Sequence, residues 1–142
     1  MIKRIKELYI KYKEIINYLI FGVLTTLVNL ITKYILLFTI LDPTNGFQLQ
    51  IAIIISWVVA VIFAYFTNRK FVFESKETNK LKEANKFVIS RIVTLLIDMM
   101  IMFIGVTVCK FNDKIIKIVS QVIVIVMNYI FSKIVVFKKN KN

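Results

Sequence analysis

Four long apolar runs, separated by shorter polar segments, dominate this sequence. They cover roughly residues 18–41, 49–67, 87–109 and 115–132. At a rise of about 1.5 Å per residue, each run can cross a hydrocarbon core about 30 Å thick as an α-helix. The chain is therefore predicted to be an all-α membrane protein, a single transmembrane domain over residues 1–142 with four membrane-spanning helices.

The basic residues between the runs predict the orientation of the chain. They are concentrated in the amino-terminal segment, in a middle loop at about 69–86 and in the tail, whereas the two other connections hold only Lys110, Lys114 and Lys117. Connections rich in Lys and Arg stay on the cytoplasmic side of a membrane. Both termini and the middle loop are thus predicted to be cytoplasmic.

The middle loop contains the one long polar stretch, ESKETNKLKEANK, at 74–86. A short interfacial helix there would carry Leu81, Ala84 and Phe87 on one side. We favour a solvated loop whose lysines neutralise anionic lipid headgroups.

Two ten-residue segments indicate an internal repeat. AYFTNRKFVF (64–73) and NYIFSKIVVF (128–137) share a Tyr in second place, a cation in sixth place and a Val-Phe ending. The stretch at 18–30 aligns more weakly with that at 87–99 and places Asn29 on Asp98. A hairpin crosses the membrane twice and returns the chain to the side from which it started, so two consecutive hairpins have the same orientation. The pattern predicts two repeated helical hairpins, a parallel repeat about an axis along the membrane normal.

Composition argues against several classes of function. The chain has no His, one Cys and three Gly, so it lacks the commonest general base, a Cys/His metal pattern and a glycine-rich phosphate loop. We therefore predict no catalytic residues, no metal and no cofactor. The net charge is +12, but its cations flank apolar spans and line no soluble face, so nucleic acid is not an expected partner.

Ionisable residues inside a membrane span are costly and mark functional sites by default. Lys33, Arg91 and Asp98 are the candidates, and Asn29 and Asn128 add polar groups to the interior faces of the first and fourth helices. Each has a purely structural alternative: the asparagines bond neighbouring helices, Arg91 snorkels to the surface, and Lys33 neutralises Asp98. If that pair forms, Arg91 is the uncompensated cation, and its guanidinium suits a phosphate.

Aromatic residues accompany a cation at the ends of the second and fourth spans. Phe71 and Phe73 can lie at headgroup depth beside Arg69, and Phe137 beside Lys133, where both cations meet lipid phosphates. Simple anchoring of the helix to membrane lipids is the favoured interpretation, and capture of an anionic lipid headgroup is the alternative.

Four segments in this chain resemble those of the GtrA-like family of small four-helix bacterial membrane proteins. They are FGVLTTLVN, FAYFTNRKFVF, NKFVISRIVTLLID and NYIFSKIVVF. The resemblance implies a multi-pass protein of the bacterial cytoplasmic membrane that flips polyprenyl-phosphate-linked sugar for glycosylation of surface polysaccharide such as teichoic acid. Membrane-bound glycosyltransferases would be its partners. By resemblance, the motif residues are Asn29, Asn68, Arg69, Arg91 and Lys133, whereas Lys33 matches nothing in the family pattern.

Three other functions are alternatives to translocation. The main alternative is a non-transporting partner that anchors or stabilises a glycosyltransferase. A four-helix cation-drug exporter would want a carboxylate in the first helix, which here carries Lys33 and no acid within its span. A glycosyltransferase would need a soluble nucleotide-sugar domain, so no enzyme activity is expected. Four helices enclose only a thin groove, which is compatible with a homodimer, and without a nucleotide motif transport would run down a gradient.

Overall fold

The computed structural model describes residues 1–138 and is helical in all four predicted spans, without strands in that range. Three of the four helices continue into a short π-helical turn. The helices are α1 (Ile2–Thr39), α2 (Gly46–Thr67), α3 (Lys80–Met102) and α4 (Asp113–Phe131). The π turns are Asn68–Val72 after α2, Phe103–Val108 after α3 and Ser132–Val136 after α4.

All four helices are long and apolar enough to cross a membrane. The chain divides into two compact units, Met1–Glu74 and Ser75–Asn142, each a hairpin of two helices. Large Ile, Leu, Val and Phe side chains are mostly exposed, whereas α2 buries its small residues Ala52, Ser56, Ala60 and Ala64. This inverts the pattern of a soluble core and fits a protein whose solvent is lipid, in which small residues allow close helix packing.

An asparagine begins each of the three later helices. Asn45 accepts hydrogen bonds from the backbone N–H groups of Phe47 and Gln48, Asn79 accepts one from Lys82, and Asn112 accepts one from Lys114. These side chains satisfy backbone donors that the first turn of a helix leaves without partners. The caps fix where the chain re-enters a helix after each connection.

The two hairpins end in the same way. The N–H of Phe73 donates to the carbonyl of Asn68 over 2.9 Å, and the N–H of Phe137 donates to that of Ser132 over 2.8 Å. Each of these phenylalanines is buried. Phe73 packs against Tyr18 at a tilt of 56°, with ring centroids 6.5 Å apart. Phe137 packs against Phe87 at 53° and 6.0 Å.

Tyr18 and Phe87 are the positions that the sequence alignment of the two hairpins places on each other. The matched π turns and aromatic pairs therefore have the features that the predicted repeat requires. The repeat and the cytoplasmic location of both termini stay predictions. The tail lysines Lys139 and Lys141 lie outside the described residues.

The structure corrects the interpretation of the middle loop. Residues 80–86 are not a solvated loop: they form the first two turns of α3, and Phe87 is fully buried while Leu81 is exposed. Glu83 is also buried, with its carboxylate accepting a hydrogen bond of 2.5 Å from Ser75. The Asn79 cap and the burial of this face hold a polar sequence in a helix. The non-helical connection is accordingly confined to the residues between Val72 and Lys80.

Candidate functional site

Polar side chains connect α3 to α4 at two levels within the second unit. At the first level, the Thr94 hydroxyl donates to the Asn128 side-chain oxygen over 2.8 Å. One helical turn further along α3, Asp98 meets Lys117 and Ser120 of α4. Because four residues of α-helix span about 6 Å, the two levels form one continuous seam, which we call the α3–α4 seam (Thr94, Asp98, Lys117, Ser120 and Asn128).

Both oxygens of the Asp98 carboxylate are engaged in this seam. The Lys117 ammonium lies 2.9 Å from Oδ2, and the Ser120 hydroxyl donates to Oδ1. The Asp98 side chain is 17% exposed and that of Lys117 48% exposed. An ion pair in a region of low dielectric constant persists only when such hydrogen bonds accompany it. The pair leaves this level of the seam with no net charge.

Arg91 lies seven residues before Asp98 on α3, about 10 Å along the helix axis. It is half-buried, and its guanidinium carbon is 4.6 Å from the ring centroid of Phe87. Among the ion pairs of the described residues, none neutralises Arg91. The N–H donors of a guanidinium lie in its own plane, so contact of its face with an aromatic ring leaves them able to bind an oxyanion.

A recess of about 380 Å³ opens in the same unit near the start of α3. Its charged lining is mixed: Lys82, Lys86 and Lys138 face Glu77 and Glu83. The hydrogen bond from the backbone N–H of Asn79 holds the pKa of Glu77 below its ordinary value, so this carboxylate is ionised at neutral pH. The carboxylate of Glu77 therefore offsets part of the positive charge of the recess.

In the first unit, α1 carries a polar stripe in which Thr25, Asn29 and Lys33 are half-buried and Thr26 is exposed. Thr25 and Thr26 each donate to a backbone carbonyl one turn earlier, at 2.7 and 3.1 Å, and so are satisfied within the helix. Asn29 and Lys33 continue the stripe, and the Lys33 ammonium lies 5.3 Å from the Tyr34 ring centroid. The amide and the ammonium are therefore the groups of this stripe available to a ligand.

Three further predicted residues lie at the ends of the hairpins. Asn68 is buried at the start of its π turn, and its carbonyl accepts the bond from Phe73. Arg69 follows it and is half-buried. Lys133 is exposed and donates to the Tyr129 hydroxyl over 3.4 Å, with its ammonium 5.7 Å from that ring. Arg69 and Lys133 therefore suit contacts with headgroups at the membrane surface, whereas Asn68 is enclosed by the hairpin.

The structure brings Asn128 to Thr94 and Asp98 to Lys117. The proposed pairing of Lys33 with Asp98 would join residues of different units and stays a prediction. Sequence analysis missed Lys117, which it assigned to a connection although the residue lies within the predicted fourth span. The spacing along the sequence could have revealed its role. Lys117 precedes Ser120 by three residues and Ser120 precedes Asn128 by eight, which places all three on one face of a helix.

No group of three His, Cys, Asp or Glu side chains that could hold a metal ion occurs within residues 1–138. Residues 17–137 match the family described as "GtrA/DPMS, transmembrane domain".

The chain belongs to the GtrA/DPMS family.

Relatives in this family cover nearly the whole chain. The chain is 38% identical over 131 residues to the "Cell wall teichoic acid glycosylation protein GtcA" of Listeria monocytogenes serovar 1/2a, covering 90% of this chain and 87% of that protein. Its counterpart in Listeria innocua serovar 6a is 37% identical with the same coverage. The membrane protein YwcD of Bacillus subtilis is 36% identical over 127 residues, covering 87% of this chain and 96% of YwcD. No solved structure matches.

The family match and the four apolar helices identify a multi-pass bacterial membrane protein.

Proposed function

We propose that this GtrA/DPMS member takes part in glycosylation of a cell-wall polymer, and that it does so by moving a polyprenyl-phosphate-linked sugar across the cytoplasmic membrane. The names of the GtcA relatives support the first statement, since both are teichoic acid glycosylation proteins. Membrane glycosyltransferases that make and use the lipid would be the partners. The chain itself would be a carrier without catalytic residues.

The charge pattern of the second unit is the observation that carries translocation. Asp98 is neutralised by Lys117, whereas Arg91 rests on Phe87 without a carboxylate in its described surroundings. A phosphodiester has one negative charge and several oxygens, which a guanidinium can bind in a bidentate way. Arg91 is therefore the residue expected to hold the lipid phosphate.

The α3–α4 seam supplies a route for the sugar. A hydroxyl-rich head cannot cross about 30 Å of hydrocarbon unless its hydrogen bonds to water are replaced. Thr94 and Ser120 are buried, so the partly exposed side chains of the seam would offer such replacements from the level of Arg91 outward. They are Asn128, Asp98 and Lys117. The polyprenyl tail would remain in the surrounding lipid, so only the head needs a polar path.

The test is lipid exchange in proteoliposomes containing the full chain and a polyprenyl-phosphate hexose. A membrane-impermeant reagent that reacts with the sugar reports the fraction in the outer leaflet over time. Variants are Arg91→Met, which removes the phosphate ligand, and Arg91→Lys, which keeps the charge but loses the bidentate geometry. Lys76→Met is the matched control, because it removes one positive charge from an exposed loop position.

We expect fast exchange in the wild type and in Lys76→Met, little in Arg91→Met and an intermediate rate in Arg91→Lys. Circular dichroism and gel filtration check that each variant is folded. Wild-type exchange no faster than in empty liposomes, with several hexoses tried, would contradict translocation. Copurification of a glycosyltransferase whose activity survives Arg91→Met would then assign the chain an anchoring role.

A further inference from the structure

The first eleven residues of α1, from Ile2 to Tyr12, extend beyond what a membrane span requires. The helix has 38 residues and is about 57 Å long, whereas a hydrocarbon core is about 30 Å thick. The part from Lys13 to Thr39 alone exceeds that thickness. The segment before Lys13 is therefore not needed to cross the membrane.

A kink separates this segment from the rest of the helix. Tyr12 has non-helical backbone angles, φ −109° and ψ 17°, and two helical pieces meet there. The ammonium nitrogen of the next residue, Lys13, lies 3.7 Å from the carboxylate oxygen Oε1 of Glu74. Glu74 follows the π turn at the end of the first hairpin. The kink therefore lies at the level where the hairpin ends, and the residues 1–12, which we call the leading segment, continue past it.

The leading segment is amphipathic. Most of its apolar residues recur at three and four positions and cover one face of the helix, whereas Ile10, 65% exposed, lies on the polar side between Lys6 and Lys3. The residues of the apolar face are Ile2, Ile5, Leu8, Tyr9 and Tyr12. All are exposed, from 84% at Ile2 to 44% at Tyr12. The described chain therefore leaves this face open to an outside partner.

The charges are arranged around that face in a specific order. At 100° per residue, Arg4 and Lys11 border one edge of the apolar strip and Lys6 borders the other. Glu7 lies opposite the strip, beside Lys3. Basic side chains at the edges can extend toward headgroup phosphates while the carboxylate points to water.

We propose that the leading segment is an interfacial helix that binds the anionic phospholipid surface of the leaflet at which the chain begins. Four cations against one carboxylate give it a net charge of +3, which complements a negative membrane surface. Cations on both edges of a narrow apolar strip fit a lipid surface better than a protein groove. The proposal does not depend on translocation, because it concerns how the first hairpin is held at the surface.

The test uses the full chain in vesicles with a fluorophore at one cysteine. In a Cys109→Ser background, Ile5→Cys reports the apolar face and Glu7→Cys reports the opposite face. Vesicles contain either a phosphatidylglycerol-rich mixture or phosphatidylcholine alone, and neutral acrylamide quenches labels that are exposed to water. One variant replaces Lys3, Arg4 and Lys6 together by Gln and so removes three positive charges from the leading segment. The matched control replaces Lys76, Lys80 and Lys82 together by Gln.

We expect the label at residue 5 to be protected and that at residue 7 to be quenched in anionic vesicles. Each basic residue near an anionic surface strengthens binding by about fivefold. The protection should therefore fall in phosphatidylcholine and in the Lys3/Arg4/Lys6 variant, and persist in the loop control. Equal quenching at both positions would overturn the proposal. Protection that is the same in anionic and in neutral vesicles would also overturn it. Protection that grows with the protein-to-lipid ratio would overturn it too, because it would identify a second copy of the chain as the partner of the apolar face.

Discussion

The Lys117 ammonium lies 2.9 Å from the Asp98 carboxylate and joins α3 to α4 inside the predicted membrane span. Loss of Lys117 would leave Asp98 as an uncompensated charge, which costs about 3–5 kcal/mol when a pair is fully buried. Because Lys117 is 48% exposed, we expect Lys117→Met to lower the free energy of unfolding by about 1–3 kcal/mol. Equilibrium unfolding in mixed micelles measures this change in the free energy of unfolding.

A double-mutant cycle separates the pair from the general loss of charge. Asp98→Asn combined with Lys117→Met should cost less than the sum of the single changes, with a coupling of about 1–3 kcal/mol. Lys114→Met removes the same charge from an exposed position one turn earlier and should leave stability nearly unchanged. Strict additivity within error would show that the pair contributes nothing.

Gly105 allows the π turn after α3 to approach α4 closely. A Cβ atom there would lie 2.8 Å from Cγ2 of Ile116, so Gly105→Ala should lower the free energy of unfolding by about 1–3 kcal/mol through overpacking. Gly22→Ala is the control, since nothing lies within 4 Å of its Cβ and alanine favours a helix. Thermal unfolding of both variants provides the comparison, and equal midpoints would contradict the close contact.

Asp42 makes the stability of the turn between α1 and α2 depend on pH in the acid range. The Thr44 hydroxyl and then its backbone N–H lower the pKa of Asp42, and both donate to Oδ1, at 2.7 and 2.9 Å. A lowered pKa stabilises the fold above the pKa of unfolded aspartate, about 3.9, and that contribution disappears as the pH falls through the lower folded value.

We therefore expect Thr44→Ala to raise the pKa of Asp42, as measured by carboxyl chemical shifts in a titration. The shift should be partial, because the backbone N–H of residue 44 remains. Thr39→Ala, whose hydroxyl bonds the Ile35 carbonyl instead, should leave the Asp42 titration where it is. An unchanged titration in Thr44→Ala would remove the hydroxyl as the cause.

Cys109 reports the orientation of the chain. It is the single cysteine and is exposed just after the π turn that follows α3. With both termini cytoplasmic, this end of α3 faces outward, so a membrane-impermeant maleimide should label Cys109 on intact cells. Lys76→Cys in a Cys109→Ser background should react only after the membrane is opened. The reverse pattern would invert the predicted topology.

Hydropathy was sufficient to predict four helices, because in lipid every backbone group must be bonded within its own helix. It was not sufficient at residues 80–86, where composition resembles a solvated loop. The Asn79 cap and the burial of Glu83 and Phe87 hold this stretch in a helix, and burial of a particular face depends on tertiary packing.

The candidate site was predictable in its residues but only partly in its contacts. Arg91 and Asp98 are conspicuous because charges within a span are rare. Lys117 is close enough to the start of α4 to belong either to the surface or to the seam. Only the position of Asp98 on the neighbouring helix decides between them, and the order of residues along the chain does not contain that distance.

The π turn at Asn68–Val72 has a consequence for insertions and deletions. A π turn holds one residue more than an α-helical turn, and each residue rotates a helix by about 100°. Deleting one residue within the turn would return it to an α-helical turn in which the Phe73 N–H still reaches the Asn68 carbonyl, so the Phe73 ring would keep nearly its direction toward Tyr18. An added residue would instead rotate that ring by about 100°, away from Tyr18. The segment should therefore tolerate the loss of one residue more readily than the gain of one.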